Sequence, residues 1–548
     1  VAGWRRALAL AGVLLCAQPM MLICAVPARA QNCGSIVIPP GLGIGPGADV
    51  TSLNPLLTSS LYNQEAAGLL FEPLLWINRF HTIDFARSVA SAVTASADGK
   101  TYDITLRPWR WSDGVAVTSA DVLYAFQLIK AFGSNYAAYG QGGMPEIVAS
   151  LTAPDAAHVH VVLTRGVNPQ WFILNGLSQL MPLPQHVWGR FTPDEIWAAQ
   201  SDPAFFSVGD GPLLIRELNI GIDAVFVPNP LYGGAKMNFS RFVMKFENAE
   251  GQELQAVQAG DLDMSNIPFD LYAKAKTLPG DTVVNLPPSY SWHELIPNMA
   301  NRTTLFFGDA RVRQALADAI DQDKIIALAM HGLGLQVHGP VPPYPTTFLS
   351  PAAKAGQFPV GYDPAKAKAL LAAAGFAPGK DGILQKDGQR LAFTLLIPAG
   401  QPLRIEIAES IQQDLQAVGI AMAVRQMEFN QMLAAMVGRP QEWQAILIGM
   451  NLGAYPSGEE LFAKGAALNN NGYENAEMDR LIAQSTDKPG LDGLFAYQDF
   501  ASAQQPVIFL PNERYSVLVR QGLHGVEDFL NPLGAWAPEK LFCTAGAR

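Results

Sequence analysis

Residues 391–448 carry two hydrophobic periods in succession, and that succession decides the fold class. Strand-like apolar runs occupy 391–397, 420–424 and 445–448. Between the first two, Ile405, Ala408, Ile411 and Leu415 recur at the spacing of an amphipathic helix, which Gly419 ends. Strand, helix, strand, helix, strand predicts an α/β protein. Other elements are punctuated in the same way. Asp309 is placed to cap a helix with Val312, Leu316, Ala319 and Ile320 on its apolar face and Gly332 after its end. Asp363-Pro364 is an N-cap with proline at the first helical position, where its missing N–H costs nothing, and Gly375 is the stop. Thr118 and Asp121 approximate a capping box ahead of Val122, Ala125, Phe126 and Ile129, which share one face. The pattern at 62–75 predicts a helix stopping near Pro73. Asp98-Gly99 and Asp113-Gly114 are turn signals, and 101–106 alternates like a strand.

At roughly 150 residues per domain, the length allows three or four units. The net charge of −11 and the lack of any Lys/Arg cluster exclude a nucleic-acid partner, which needs phosphate contacts. Beyond the N-terminus no run reaches the ~18 apolar residues of a membrane helix. At the N-terminus, Arg5 and Arg6 precede a nearly continuous apolar stretch, and Ala28-Arg29-Ala30 is a small-x-small site. This is the layout of a secretory signal peptide over 1–30, with Gln31 as the mature start. Pro19 and the cleavage site argue against a retained anchor. Cys16, Cys24 and Cys33 each lack the small preceding residue that lipidation requires. Cleavage removes three arginines and no acid, taking the net charge from −11 to −14. It leaves Cys33 and Cys543, which in an oxidising compartment can pair or remain separate buried thiols.

A search for catalytic chemistry returns little. There is no GxSxG, HExxH, Walker loop or EF-hand spacing. Glycines at 41, 43, 45 and 47 alternate, but Pro46 interrupts them and they read as a loop. His158 and His160 share a strand face without a neighbouring carboxylate cluster, which falls short of a metal site. Asp261/Asp263 and Asp321/Asp323 are better read as turn and helix-surface acids than as acid/base pairs. Trp109 and Trp111 read as core.

Several blocks, in order, resemble bacterial extracellular solute-binding proteins of family 5, the dipeptide, oligopeptide and nickel receptors of ABC importers. Ser96-Ala97-Asp98-Gly99-Lys100-Thr101-Tyr102, Trp111-Ser112-Asp113-Gly114 and Val117-Thr118-Ser119-Ala120-Asp121-Val122 resemble its signature. Ser52-Leu53-Asn54-Pro55, Phe71-Glu72-Pro73-Leu74-Leu75, Gly209-Asp210-Gly211-Pro212, Asn229-Pro230-x-Tyr232, Gly260-Asp261-Leu262-Asp263, Arg311-Val312-Arg313-Gln314-Ala315-Leu316, Tyr362-Asp363-Pro364 and Asn471-Gly472-Tyr473-x-Asn475 follow the same pattern. The resemblance spans about residues 50–515. Most blocks specify turns and caps, so they carry scaffold rather than ligand.

The resemblance implies a two-lobed periplasmic binding protein (type II, cluster C) with an extra inserted domain. Domain I takes 31–75, 208–290 and 505–548, domain II is an insertion over 76–207, and domain III takes 291–504. A Cys33–Cys543 disulfide would join two ends of one domain. The implied role is capture of a peptide or peptide-like solute by hinge closure and delivery to an inner-membrane ABC permease. The protein is expected to be a monomer, to need no cofactor and not to be an enzyme. A non-peptide solute (a metal chelate, opine or sugar conjugate) and a chaperone or sensor role on the same fold are the alternatives; a secreted hydrolase lacks its motifs.

Tyr62, Tyr290, Trp292, Glu294, Asn451 and Tyr455 are the candidate ligand residues. Tyr290, Trp292 and Glu294 alternate along one strand and share a face, either cleft or core. Peptide receptors of this kind hold the ligand amine with an Asp in a block resembling Gly-Trp-x-x-Asp-Tyr. Here the corresponding stretch starts at Gly449, the Asp position falls on Gly453 or Ala454, and Leu447 replaces an Arg found in some peptide receptors. A buried amine without a partner carboxylate is costly. Glu459 or Glu460 could substitute through a register shift, or could lie on a following helix facing solvent.

Overall fold

The computed structural model describes residues 32–43, 49–58, 60–246, 252–531 and 533–544. The expected signal peptide with Cys16, Cys24 and its cleavage site, Gln31, and Gly45 and Gly47 lie outside the described residues.

The α/β reading of 391–448 is realised in a five-stranded sheet. Its order is Ala421–Met427, Ala392–Pro398, Ala445–Asn451, Ser291–Pro297 and Ile508–Leu510. The first three run parallel, and Ser291–Pro297 is antiparallel to both of its neighbours. Helix Pro402–Ala417 lies on one face. It buries Ile407, Ala408, Ile411 and Leu415 against Leu395 and Leu447 of the sheet. Each of these Ile and Leu side chains contributes roughly 1.5–3 kcal/mol by leaving water.

Three of the smaller sheets frame the rest of the described residues. Ser35–Ile38 pairs in parallel with Arg241–Lys245, which continues antiparallel into Asp223–Pro228 and Leu213–Asn219. Ser516–Val519 lies between Thr282–Asn285 and Met264–Asn266. Residues 90–163 supply an antiparallel sheet in the order Ala90–Ala95, Thr101–Leu106, His158–Leu163, Val148–Asp155. Helix Ser119–Phe132 packs on this sheet and starts at the capping box of Thr118 and Asp121. Among the described residues no helix is long and apolar enough to cross a membrane.

Two expected helices end early, for tertiary reasons. The first is Leu61–Leu70, not 62–75. Phe71 is extended, Gly211 donates its N–H to the Leu70 carbonyl, and Pro73 pushes Glu72 out of the helical region. The second splits in two. Ala310–Ala319 ends at extended Ile320, and Asp321 caps a new helix, Gln322–Leu328, by accepting from the Lys324 N–H at 3.0 Å. Asp263 likewise serves structure, accepting from the Val37 N–H at 2.6 Å and pairing with Arg520. Trp109 and Trp111 are buried. His158 and His160 bond to Asp155 and Asp103, and no metal-holding cluster occurs among the described residues.

The five-stranded sheet takes up chain beyond residue 505. Helix Asp492–Gln504 runs into Ile508–Leu510, which pairs with Ser291–Pro297, so the return lies at 511–515. It passes beside the outward segment 286–290. Leu286 donates to the Tyr515 carbonyl at 3.0 Å and Asn512 Nδ2 to the Ser289 carbonyl at 2.6 Å. These two adjacent segments connect the five-stranded half to the Ser516–Val519 sheet.

Cys33 and Cys543 form a disulfide, with Cα atoms 5.2 Å apart across 510 residues of sequence. It ties the chain beside Ser35–Ile38 to the Leu523–His524/Phe542–Cys543 ladder. Closing so long a loop restricts the unfolded chain. The C33A/C543A double variant is therefore expected to lose about 2–5 kcal/mol of stability, read as a lower denaturation midpoint. An unchanged midpoint would show the bridge to be dispensable.

Candidate ligand site between the two halves

The six sequence-predicted residues do not converge on one point. On the five-stranded sheet, Trp292 and Glu294 do share a face, and both are buried. Trp292 packs edge-on against Phe509, and its Nε1 donates to Glu294 Oε2 at 2.8 Å. Burial, partly offset by that bond, lifts the Glu294 carboxyl to about 7. Tyr290 is buried and meets the His81 ring edge-on at 4.1 Å. Asn451 is exposed at the end of its strand. Tyr62 is half-buried on helix Leu61–Leu70, on the opposite half.

Tyr455 is where the halves meet. Residues 165–176, anchored to the sheet of 90–163, close over 454–459 and the turn after helix Ala476–Asp487. Asn168 is fully buried, and its Nδ2 reaches the Tyr455 hydroxyl at 3.0 Å and the Ser485 and Gly490 carbonyls at 2.9 Å each. Asn175 clasps the Tyr455 backbone twice: its Oδ1 accepts from the Tyr455 N–H and its Nδ2 donates to the Tyr455 carbonyl, both at 2.9 Å. Trp171 Nε1 donates to Glu459 at 2.8 Å, and Arg165 pairs with Asp487. His81 Nδ1 donates to the Ala454 carbonyl at 2.7 Å. Because a carbonyl can only accept, this bond fixes the His81 tautomer.

Burial here shifts two groups toward their uncharged forms. Burial raises Glu459 to about 8, with Glu460 adding to the rise and Trp171 and Arg165 opposing it. Burial lowers His81 to about 4 despite the bond to Ala454. Glu459 and Glu460 lie in a turn rather than on a following helix. Glu459 is committed to Trp171, so it does not stand as a free amine acceptor. At the expected amine position, a Cβ on Gly453 would lie 3.3 Å from Asn175 Oδ1. An amide therefore occupies the neighbourhood where peptide receptors are expected to place a carboxylate.

A second cluster sits where the connecting segments leave the sheet. Glu513 pairs with His293 at 2.9 Å and accepts from the Tyr515 hydroxyl at 3.0 Å. Burial alone would raise Glu513, but attraction to His293 and these bonds carry it to about 2. Tyr515 stacks on Phe269. Arg404, in the first turn of Pro402–Ala417, faces the bare backbone of Gly449. Two surface cavities, of about 530 Å³ beside Phe393 and Gln412 and about 390 Å³ beside His338 and Phe358, include none of the six residues.

The family model described as bacterial extracellular solute-binding proteins, family 5 middle, matches residues 84–471. The chain belongs to this family. Its members bind solutes, and the two-lobed α/β fold of family 5 is the fold of this chain. The oligopeptide-binding protein AppA of Bacillus subtilis is 25% identical over 444 residues, covering 78% of this chain and 78% of that protein. The structure of that protein with a nonapeptide superposes with a TM-score of 0.72 at 22% identity, covering 94% of this chain and all of that one. NikA from Brucella suis, in complex with Fe(III)-EDTA, superposes with a TM-score of 0.76 at 21% identity, covering 93% and 100%. Proteins of this fold are thus found with ligands of very different chemistry.

Asn168, Trp171, Asn175, His81, His293, Arg404 and Glu513 were not among the sequence candidates. Asn168-Pro169 carries a helix-start signal, which the structure uses: Asn168 caps Pro169–Trp171. The others carry no local signal, because their partners lie far along the chain.

Proposed function

We propose that this chain is the periplasmic substrate-binding protein of an ABC importer, capturing a small solute between its lobes and delivering it to a membrane permease. The polar seam where residues 165–176 meet 454–459 carries the reading. Contacts of this kind form only when the lobes approach, and a ligand that bridges the lobes shifts the equilibrium toward that state. In this reading one lobe comprises 31–290 and the chain after about 511, with 76–207 as an inserted domain, and the other comprises 291–510. Segments 286–290 and 511–515 form the hinge. Tyr62, Tyr290, Trp292, Glu294, Asn451 and Tyr455 border the cleft. The protein is secreted through the 1–30 signal, acts as a monomer and catalyses nothing.

The solute is peptide-like but is not read through a charged α-amine, because Gly453 and Ala454 offer no carboxylate and Glu459 is bound to Trp171. Simple di- and tripeptides are expected to bind poorly. Titrating longer peptides in free and N-acetylated forms is expected to give affinities within about threefold of each other, since no hydrogen bond to a charged amine, worth roughly 1.5–3 kcal/mol, is lost. Micromolar binding that disappears on N-acetylation would overturn this reading of the amine site.

A further inference from the structure

His81 has a φ of +59°, in the left-handed region where a Cβ strains the backbone and glycine or asparagine is the usual occupant. A conformation of this kind persists only where surrounding contacts hold it. The residue sits in a short turn. Asn78 donates its N–H to the Thr82 carbonyl, His81 donates its own to the Asn78 carbonyl, and Ile77 bridges Ile83. One half of the protein holds this turn from behind. Asn531 Nδ2 donates to the Ile77 carbonyl at 2.8 Å, and Arg79 pairs with Asp528 at 3.1 Å. The tip enters the other half. Thr347 Oγ1 donates to the Phe80 carbonyl at 2.6 Å. The His81 ring meets Tyr290 at 4.1 Å and Phe348 at 6.1 Å, with Nδ1 on the Ala454 carbonyl. Phe80 beside it is 46% exposed, whereas His81 is 2% exposed. The far side of this seat is braced as well. The Phe348 carbonyl accepts from Gln498 Nε2 at 2.7 Å, and its ring packs edge-on against Tyr455 at 5.1 Å. The opposing wall changes character at the same place. Asn451 and Gly453 are exposed, and every residue from Ala454 to Gly458 is buried. His81 Nε2 finds no partner among the described residues, so apart from its one bond the ring acts here through its bulk.

We propose that His81 is an end stop of the cleft: its ring fills the space in front of Ala454 and limits the size of the solute group that can lie there. This rests on the reading of the cleft as a solute site. The exposed wall at 451–453 is open to a solute, and the ring closes that wall off. Forcing extra bulk into a packed site drives side chains off their rotamers, so a larger solute end is rejected sterically. The backbone at His81 also supplies a clean variant. Glycine adopts a positive φ without strain, so His81→Gly removes the ring and leaves the turn at ease.

The test uses one pool of tetra- to hexapeptides, once N-acetylated and once N-benzoylated, titrated calorimetrically against the disulfide-intact protein. The N-terminal group is varied because Gly453 and Ala454 stand where peptide receptors are expected to hold the ligand amine. The unaltered protein is expected to bind the acetylated pool about 10- to 100-fold tighter than the benzoylated pool. His81→Gly is expected to bring the two within about threefold of each other by improving the benzoylated pool. His81→Phe keeps a ring but loses the bond to Ala454, and is expected to keep the preference. The ligand-free melting midpoint of His81→Gly should stay close to that of the unaltered protein, which separates recognition from folding. Equal binding of the two pools by the unaltered protein, a preference that survives in His81→Gly, a preference lost in His81→Phe, or no binding of either pool would overturn the end stop. In the last case, a solute still retained by natively purified protein would uphold the binding function on its own.

Discussion

Asn168→Ala is expected to weaken solute retention by about 30- to 1,000-fold while leaving each half folded. The two N–H hydrogens of its side-chain amide are shared among three acceptors of the opposing half, on Tyr455, Ser485 and Gly490. At about 1 kcal/mol net per bond, with buried partners left unsatisfied, the closed state loses about 2–4 kcal/mol. Apparent affinity falls with the population of the closed state. Tyr455→Phe is the milder comparison. It removes one hydroxyl, which accepts from Asn168 and donates to Ser485 at 3.2 Å, and is expected to cost about tenfold. Small-angle scattering should show the ligand-free Asn168→Ala protein more extended than the parent. Identical scattering and undiminished retention would mean that this seam does not hold the lobes together.

The second large effect is on pH dependence. When the lobes are apart, Glu459 and His81 are expected to sit in water with ordinary values near 4.5 and 6.5. On closure Glu459 rises to about 8 and His81 falls to about 4. The Glu459 contribution is therefore fully present below pH 4.5 and lost as pH rises through 8. The His81 contribution is present above 6.5 and lost as pH falls toward 4. The groups facing Glu459 are Trp171, Glu460, Arg165 and Asp487, and those facing His81 are Tyr290, Phe348 and the Ala454 carbonyl. Between 6.5 and 8, closure takes up one proton, so affinity should weaken by about tenfold per pH unit. Between 4.5 and 6.5, uptake by Glu459 and release by His81 cancel, giving a plateau. Glu459→Gln should flatten the upper limb. A titration series in which the parent shows no slope above pH 6.5 would contradict the account.

Local signals carried much of the scaffold. The stripe at 405–415, the cap at Thr118, the Asp363-Pro364 start and the strand at 101–106 depend on neighbours within a few residues, and a sequence displays such neighbours directly. The failures share a cause. Helix Leu61–Leu70 stops where Gly211, far along the chain, pairs with the Leu70 carbonyl, and Ile508–Leu510 pairs with Ser291–Pro297, more than two hundred residues earlier. Of the six candidate residues, Tyr455, read through the family pattern, is the one that lies where the halves meet.

Native mass spectrometry of protein purified undenatured from its own host envelope tests the central claim most directly. The account predicts a discrete small-molecule mass excess that disappears on unfolding and is sharply reduced in Asn168→Ala. A bare polypeptide mass from every preparation, with equally compact scattering before and after exhaustive unfolding and refolding, would contradict the view that the lobes close on a solute.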